Sequence, residues 1–196
     1  MRILVIFWIG LISSGVVCSA YGVPLPSKEH LNIILFYADD LGWMDLGVQG
    51  SPFYETPNID RLAAQGMRFT RAYSNAANCA PSRACLMTGL YAPRHGIYTV
   101  ASSARGQSRN RRIIPIPNTE VLDTTFVTLP GWLQHQGYKT CIAGKWHISG
   151  NPQPYGFDRN FGGHKAGHPS SYFSPYQNPY LPDGPEGEHL PDRLAN

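Results

Sequence analysis

The sequence predicts an α/β protein built on a mainly parallel central sheet. Three observations carry that reading. Residues 31–37 form a near-continuous apolar run of strand length, the pattern of a parallel strand buried on both faces. Residues 128–143 read as a helix followed directly by a second apolar strand, an αβ unit. Both runs end in charged or polar residues, and ligand sites of open α/β sheets lie at the carboxyl ends of the strands.

Length and composition bound the rest. A chain of 196 residues suits one domain with a substantial core. With 42% hydrophobic and 15% charged residues it is not a disordered chain, and a net charge of +3 does not call for a nucleic-acid partner. The 17 prolines and 20 glycines crowd toward the end and predict loops over 151–196. Arg2, an apolar stretch over 3–12 and the small residues Cys18-Ser19-Ala20 read as a signal peptide, residues 1–20, cleaved after Ala20. It is too short to span a bilayer comfortably. The expectation is export to the periplasm, the extracellular space or a lysosomal-type compartment, with no stable membrane insertion afterwards. Residues 21–30 read as a short linker and 31–196 as the globular part.

The first strand ends in Asp39-Asp40. Adjacent carboxylates repel unless a cation sits between them, and oxygen-only donors suit a hard cation. Over 56–66, Thr56 reads as a cap, Pro57 as the opening residue, Ile59, Leu62 and Ala63 as an apolar face and Gly66 as the stop. Residues 67–71 alternate and read as a short strand. Next comes Asn78-Cys79-Ala80-Pro81-Ser82-Arg83, a loop entering a helix that Gly89 closes. Ser82 is expected to satisfy free backbone donors there. Cys79 falls at the positive end of the helix dipole, and Arg83 rises one turn later on the same face. The stretch reads as an anion site containing a nucleophile.

Beyond the helix, His95 in a turn-rich stretch reads as a surface or supporting histidine. Arg105, Arg109, Arg111 and Arg112 form a basic run that reads first as a solvated excursion, with steering of an anionic polymer as the alternative. Thr128 caps the next helix and Gly137 ends it. The strand over 138–143 then delivers Gly144-Lys145-Trp146-His147, where extended alternation puts Lys145 and His147 on one side and Trp146 on the other. His164, His168 and His189 lack metal-ligand spacing. Cys85 and Cys141 are either bridged or, as the preferred reading, buried as small apolar residues.

The segment Cys79-Ala80-Pro81-Ser82-Arg83, with its tail Leu86-Met87-Thr88-Gly89, resembles the sulfatase signature. Asp39-Asp40 before it and Gly144-Lys145-Trp146-His147 after it resemble that family's other amino-terminal motifs, in the same order. The resemblance implies an alkaline-phosphatase-like three-layer α/β/α fold, incomplete at its C-terminal side, because sulfatases are longer and draw further cation ligands from later segments. It implies that a maturation enzyme oxidises Cys79 to formylglycine, whose hydrated aldehyde attacks the sulfur of a sulfated small molecule or glycan with one hydroxyl and releases sulfate with the other. In that scheme Asp39, Asp40 and residue 79 hold Ca2+, with Mg2+ the alternative ion. Arg83 stabilises the hydrated aldehyde, Lys145 balances charge on the sulfate, and His147 handles a proton. The alternatives are a formylglycine-dependent phosphonate or phosphodiester hydrolase, and a catalytically dead secreted remnant acting as a binding module.

Overall fold

The structure, a computed structural model, describes residues 31–196. The signal peptide and linker therefore lie outside the described residues. The chain divides into two units at Ile34, the second comprising Leu35–Asn196. Of the first, residues 31–34 are described; they are exposed and without regular structure. Everything below concerns the second unit.

Local signals place three of the helices among the described residues, those over 57–65, 79–88 and 129–135; the short ones over 92–95 and 190–195 fall where a turn-rich stretch and loops were expected. Helix α1 spans Pro57–Gln65, α2 Cys79–Thr88, α3 Ala92–His95, α4 Leu129–His135 and α5 Leu190–Ala195. Gly89 closes α2 in the left-handed region at φ 68°, its N–H bonding the carbonyl of Cys85, the geometry glycine permits at least cost. Thr128 caps α4 by accepting from the Gly131 N–H at 3.3 Å, and its hydroxyl also donates to the Tyr155 carbonyl. Thr56 opens α1 without bonding its free amides. Its hydroxyl instead accepts from Gly47 at 2.8 Å and donates to Asp60 at 3.0 Å, clamping the preceding 3-10 turn, Gly47–Gln49. The apolar face of α1 is unpacked, with Leu62 63% exposed.

The sheet differs more from expectation. Strand β1 is Cys141–Ala143, the carboxyl-terminal half of the predicted strand, and it pairs in parallel with β2, Arg159–Phe161. The register sets Cys141 opposite Arg159, Ile142 opposite Asn160 and Ala143 opposite Phe161. Thus 151–196 is not all loop. It supplies the partner strand, held by Thr140, whose amide donates to the Asp158 carboxylate at 2.8 Å and whose hydroxyl donates to the Gly156 carbonyl at 2.6 Å. Neither 31–37 nor 67–71 forms a strand. Phe36 is 85% and Met67 80% exposed, and among the described residues no neighbouring chain offers either segment a hydrogen-bond ladder. A strand buried on both faces exists only where both faces are covered.

The core is built around Trp146, which is 1% exposed. Its ring lies 5.3 Å from Tyr155 and, edge-on, 5.7 Å from Phe157, and its indole N–H donates to Ser149 at 2.6 Å. Ala80 and Ala84 of α2 pack into the same cluster with Ile97, Leu122 and Ile148. Small residues on this face of α2 let its backbone approach the sheet end closely. The αβ expectation for 128–143 is met by α4 and the shorter β1; beyond it Gly144 and His147 take left-handed φ values of 93° and 71° rather than extended ones, and Trp146 points into the core.

Candidate active site

Residues far apart in the chain converge on one carboxylate. Arg83 lies on α2 in the interior, 8% exposed as a residue. Its Nη2 reaches Asp39 Oδ1 at 3.3 Å, its Nη1 donates to the Lys145 carbonyl at 2.7 Å, and its guanidinium stands 5.0 Å from the centre of the Tyr37 ring. Lys145, delivered just past the carboxyl end of β1, pairs with the other oxygen of Asp39 through Nζ. The side chains of Asp39 and Lys145 are 28% and 20% exposed, so the cluster sits at the wall of a cleft rather than in the deep core.

The electrostatics follow from that arrangement. Partial burial works to raise the Asp39 carboxyl, but the Lys145 hydrogen bond and charge, with the charge of Arg83, outweigh it and hold the group below its ordinary value. Asp39 is therefore ionised at neutral pH. Two cations meet one paired carboxylate, which leaves positive potential to take an anion. His147 is pushed below its ordinary value, first by burial and then by Lys145 and Arg83, with Asp39 opposing and His168 adding to the depression. It is a neutral imidazole at pH 7, able to accept a proton. Its Nδ1 is buried without a hydrogen-bond partner, and so is the Nε of Arg83. Orphaned buried polar atoms cost about 1–3 kcal/mol each, and such atoms gather where a ligand is received.

His147 is also conformationally unusual, with φ at 71°, in the left-handed region that a residue with a Cβ rarely occupies. Its amide bonds the His164 carbonyl at 2.9 Å. A Cβ on Gly167 would stand 2.6 Å from the His147 ring, so the 164–168 loop lies directly on the imidazole. His164 and His168 line a cleft of about 540 Å³ with Asp39 and Lys145, floored by Leu181, Leu190 and Leu194. In the sequence this loop shows only histidines without metal-ligand spacing. A glycine flanked by histidines at 164 and 168 was the available signal, since a lone glycine often marks close approach.

The other nominated residues are placed as follows. Cys79 is the first residue of α2, partly exposed and unbridged, one turn before Arg83. Asp40 is exposed and turns the chain at φ 54°; no hydrogen bond or ion pair ties it to the cluster. Among the described residues no group of three His, Cys, Asp or Glu side chains stands close enough to hold a metal ion. Ser82 does not cap α2: its hydroxyl bonds those of Tyr37 and, at 2.6 Å, Ser74, which ties the segment carrying Asp39 to the helix carrying Arg83. His95 is neither at the surface nor in the cleft. It is 5% exposed, its Nε2 3.4 Å from Cys85 Sγ, and burial lowers its pKa. Cys85 is buried as expected, whereas Cys141 is exposed, and the two are free thiols.

The sequence model of the sulfatase family matches residues 31–196. The chain is 42% identical over 180 residues to an N-acetylgalactosamine-6-sulfatase of Mus musculus, covering 89% of this chain and 32% of the relative. The human protein of that name is 42% identical over 171 residues, and a bovine arylsulfatase A is 43% identical over 136. Of the two N-acetylgalactosamine-6-sulfatases the chain spans about a third of the length. Among solved structures, a protein solved in work on glycosaminoglycan metabolism by Bacteroides thetaiotaomicron is 35% identical with a TM-score of 0.54, over 66% of this chain and 27% of its own. Ps i-CgsB, solved in complex with k-i-k-neocarrahexaose, is 30% identical with a TM-score of 0.59, over 79% of this chain and 37% of its own. The parallel strand pair and the helices are a portion of the alkaline-phosphatase-like α/β fold of those neighbours. On the family match and the shared fold together, this chain belongs to the sulfatase family.

Proposed function

We propose that residues 31–196 are the amino-terminal portion of a catalytic domain that hydrolyses sulfate esters, with a formylglycine derived from Cys79 as its nucleophile. The observation that carries the reading is the pairing of Arg83 and Lys145 on Asp39. These three side chains come from segments 44 and 106 residues apart, and nothing in local structure would gather them.

The donor chemistry fits a divalent cation in kind. Asp39 and Asp40 offer hard carboxylate oxygens of the sort Ca2+ prefers over softer metals, with Mg2+ the alternative, and residue 79 lies one helical turn from Arg83. Those residues would hold part of a cation's coordination sphere, which takes six to eight oxygens for calcium. A bound cation would supply Lewis-acid polarisation, and formylglycine would supply a hydroxyl nucleophile that a thiol cannot imitate.

The remaining roles belong to the chain's own side chains. Arg83, fixed by its bond to the Lys145 carbonyl, presents positive charge beside the first turn of α2 without reorganising. Lys145, at the cleft wall, can exchange its Asp39 pairing for a sulfate oxygen. His147, neutral at pH 7 and within the fields of Lys145 and Arg83, can take a proton from an attacking hydroxyl or return one to a departing alcohol. The apolar floor of the cleft would exclude water around the ester's organic part. Because similar relatives are named N-acetylgalactosamine-6-sulfatase, a sulfated amino sugar within a glycan is the leading substrate class. Export through the 1–20 segment would deliver the chain to such glycans; among the described residues no helix is long and apolar enough to cross a membrane.

The test is mass spectrometry of the residue-79 peptide after co-expression with a formylglycine-generating enzyme, paired with turnover of an aryl sulfate and an aryl phosphodiester. The reading requires loss of the Cys79 sulfur and sulfate release that Lys145→Ala abolishes. Retained sulfur, or faster cleavage of the phosphodiester, overturns it.

A further inference from the structure

The basic run at 101–112 is a built loop rather than a loose excursion. Residues 101–118 contain four arginines and no acidic residue. Asn118 pinches the base: its side-chain oxygen accepts from the amides of Tyr98 at 2.7 Å and Thr99 at 3.1 Å, and its nitrogen donates to the carbonyls of Thr99 and Ala101. Arg111 folds inward, donating to the carbonyls of Ala104, Arg105 and Gly106 at 2.9, 2.9 and 2.7 Å. Arg105 donates to Val100 at 2.9 Å and to the Thr99 hydroxyl at 3.2 Å.

With those two arginines spent on shaping the loop, Arg109 and Arg112 remain exposed, and among the described residues no side-chain hydrogen bond or ion pair engages either of them. The acidic residue nearest after the loop, Glu120, is paired with Lys165 at 3.6 Å. A rigid loop that displays unpaired guanidiniums is preorganised to receive anions, and guanidinium pairs well with sulfate-like oxyanions. Its position matters as much as its charge. The Thr99 hydroxyl that Arg105 bonds also accepts from Asn78 at 3.0 Å, and Asn78 is the residue before Cys79. The loop's root therefore abuts the amino terminus of α2.

We propose that residues 101–114 form a docking surface for a sulfated polysaccharide, Arg109 and Arg112 holding sulfate groups that flank the one presented to the Cys79 end of α2. This rests on the sulfate-ester reading and adds that the substrate is a polymer with repeated sulfates rather than an isolated monosaccharide ester. Charge complementarity selects such an occupant: a chain carrying sulfate at the reacting position and again along its length matches cations at both places.

The test is equilibrium binding of a heparin octasaccharide to the full chain across ionic strength, with no turnover required. The expected result is salt-sensitive binding that Arg109→Ser/Arg112→Ser weakens about tenfold, reducing the log–log salt slope by about 2, as loss of two anion contacts does. Arg159→Ser on β2 should leave binding unchanged. Far-ultraviolet circular dichroism of the double variant should match the parent, since neither arginine bonds the fold. Equal binding by parent and double variant overturns the proposal. So does equally tight binding of unsulfated hyaluronan, of duplex DNA or of phosphatidylserine vesicles, which would reveal a surface not selective for sulfated glycan. A chain that binds heparin through Arg109 and Arg112 but never releases sulfate would refute the catalytic reading and leave this one standing.

Discussion

Replacing Arg83 by methionine tests the logic of the site without excavating the core. Methionine retains much of the stem's packing and removes only the guanidinium. Three contacts disappear: the bond to the Lys145 carbonyl at 2.7 Å, the ion pair with Asp39 at 3.3 Å and the stacking over Tyr37 at 5.0 Å. A charge-assisted hydrogen bond is worth about 1.5–3 kcal/mol. The ion pair, with Asp39 28% exposed, contributes about 1 kcal/mol at most after screening. The ring contact adds about 0.5–1 kcal/mol. Removing the guanidinium also removes its orphaned Nε, which returns about 1 kcal/mol. Arg83→Met should therefore lose about 2 kcal/mol in urea unfolding, a fall in Tm of about 4–8 °C for a chain of this size.

A double-mutant cycle with Asp39→Asn isolates the pair, and the coupling should be about 1 kcal/mol at pH 7. Its pH dependence has a definite sign. Asp39 is held below its ordinary value in the fold, so its contribution is present above the unfolded carboxylate pKa, about 4, and is lost as pH falls through the lower folded value. The coupling should shrink on acidification. Coupling of zero at pH 7, or coupling that grows toward pH 3, would refute the claim that Arg83 and Asp39 form one electrostatic unit.

Two glycines give sharper steric predictions. At Gly156, φ is 98° and an added Cβ would lie 2.3 Å from the Gly131 amide nitrogen, a backbone atom that cannot swing aside; Gly156→Ala should cost more than about 3 kcal/mol, measured by thermal unfolding or by loss of soluble chain. At Gly167 the clash is with the His147 side chain rather than with backbone, so Gly167→Ala should leave Tm within about 3 °C yet displace the imidazole toward water. Its pKa, followed by NMR, should then rise toward the ordinary histidine value, and an unshifted titration would show that Gly167 does not position His147.

The residues themselves marked α1, α2 and α4. Caps, prolines and terminal glycines act within one or two turns, so the end of α2 and the start of α4 could be read from Gly89 and Thr128 alone. The same locality explains the failures. A strand is defined by its neighbour: residues 31–37 have the composition of one but find no partner among the described residues, while Arg159–Phe161 is unremarkable as sequence and becomes a strand because Thr140 and Asp158 align it with β1. His95 reads as a turn histidine until the packing of α2 against α3 buries it on Cys85. Motif spacing nominated Asp39, Arg83 and Lys145, but only the fold brings them onto one carboxylate and lowers its pKa. Only the fold lays Gly167 on His147, links Arg105 to Asn78 through Thr99, and turns Arg111 inward while leaving Arg109 and Arg112 facing solvent. Capping is a transaction between near neighbours in the chain. Charge pairing, burial and close approach depend on distance in space, which the chain acquires by folding.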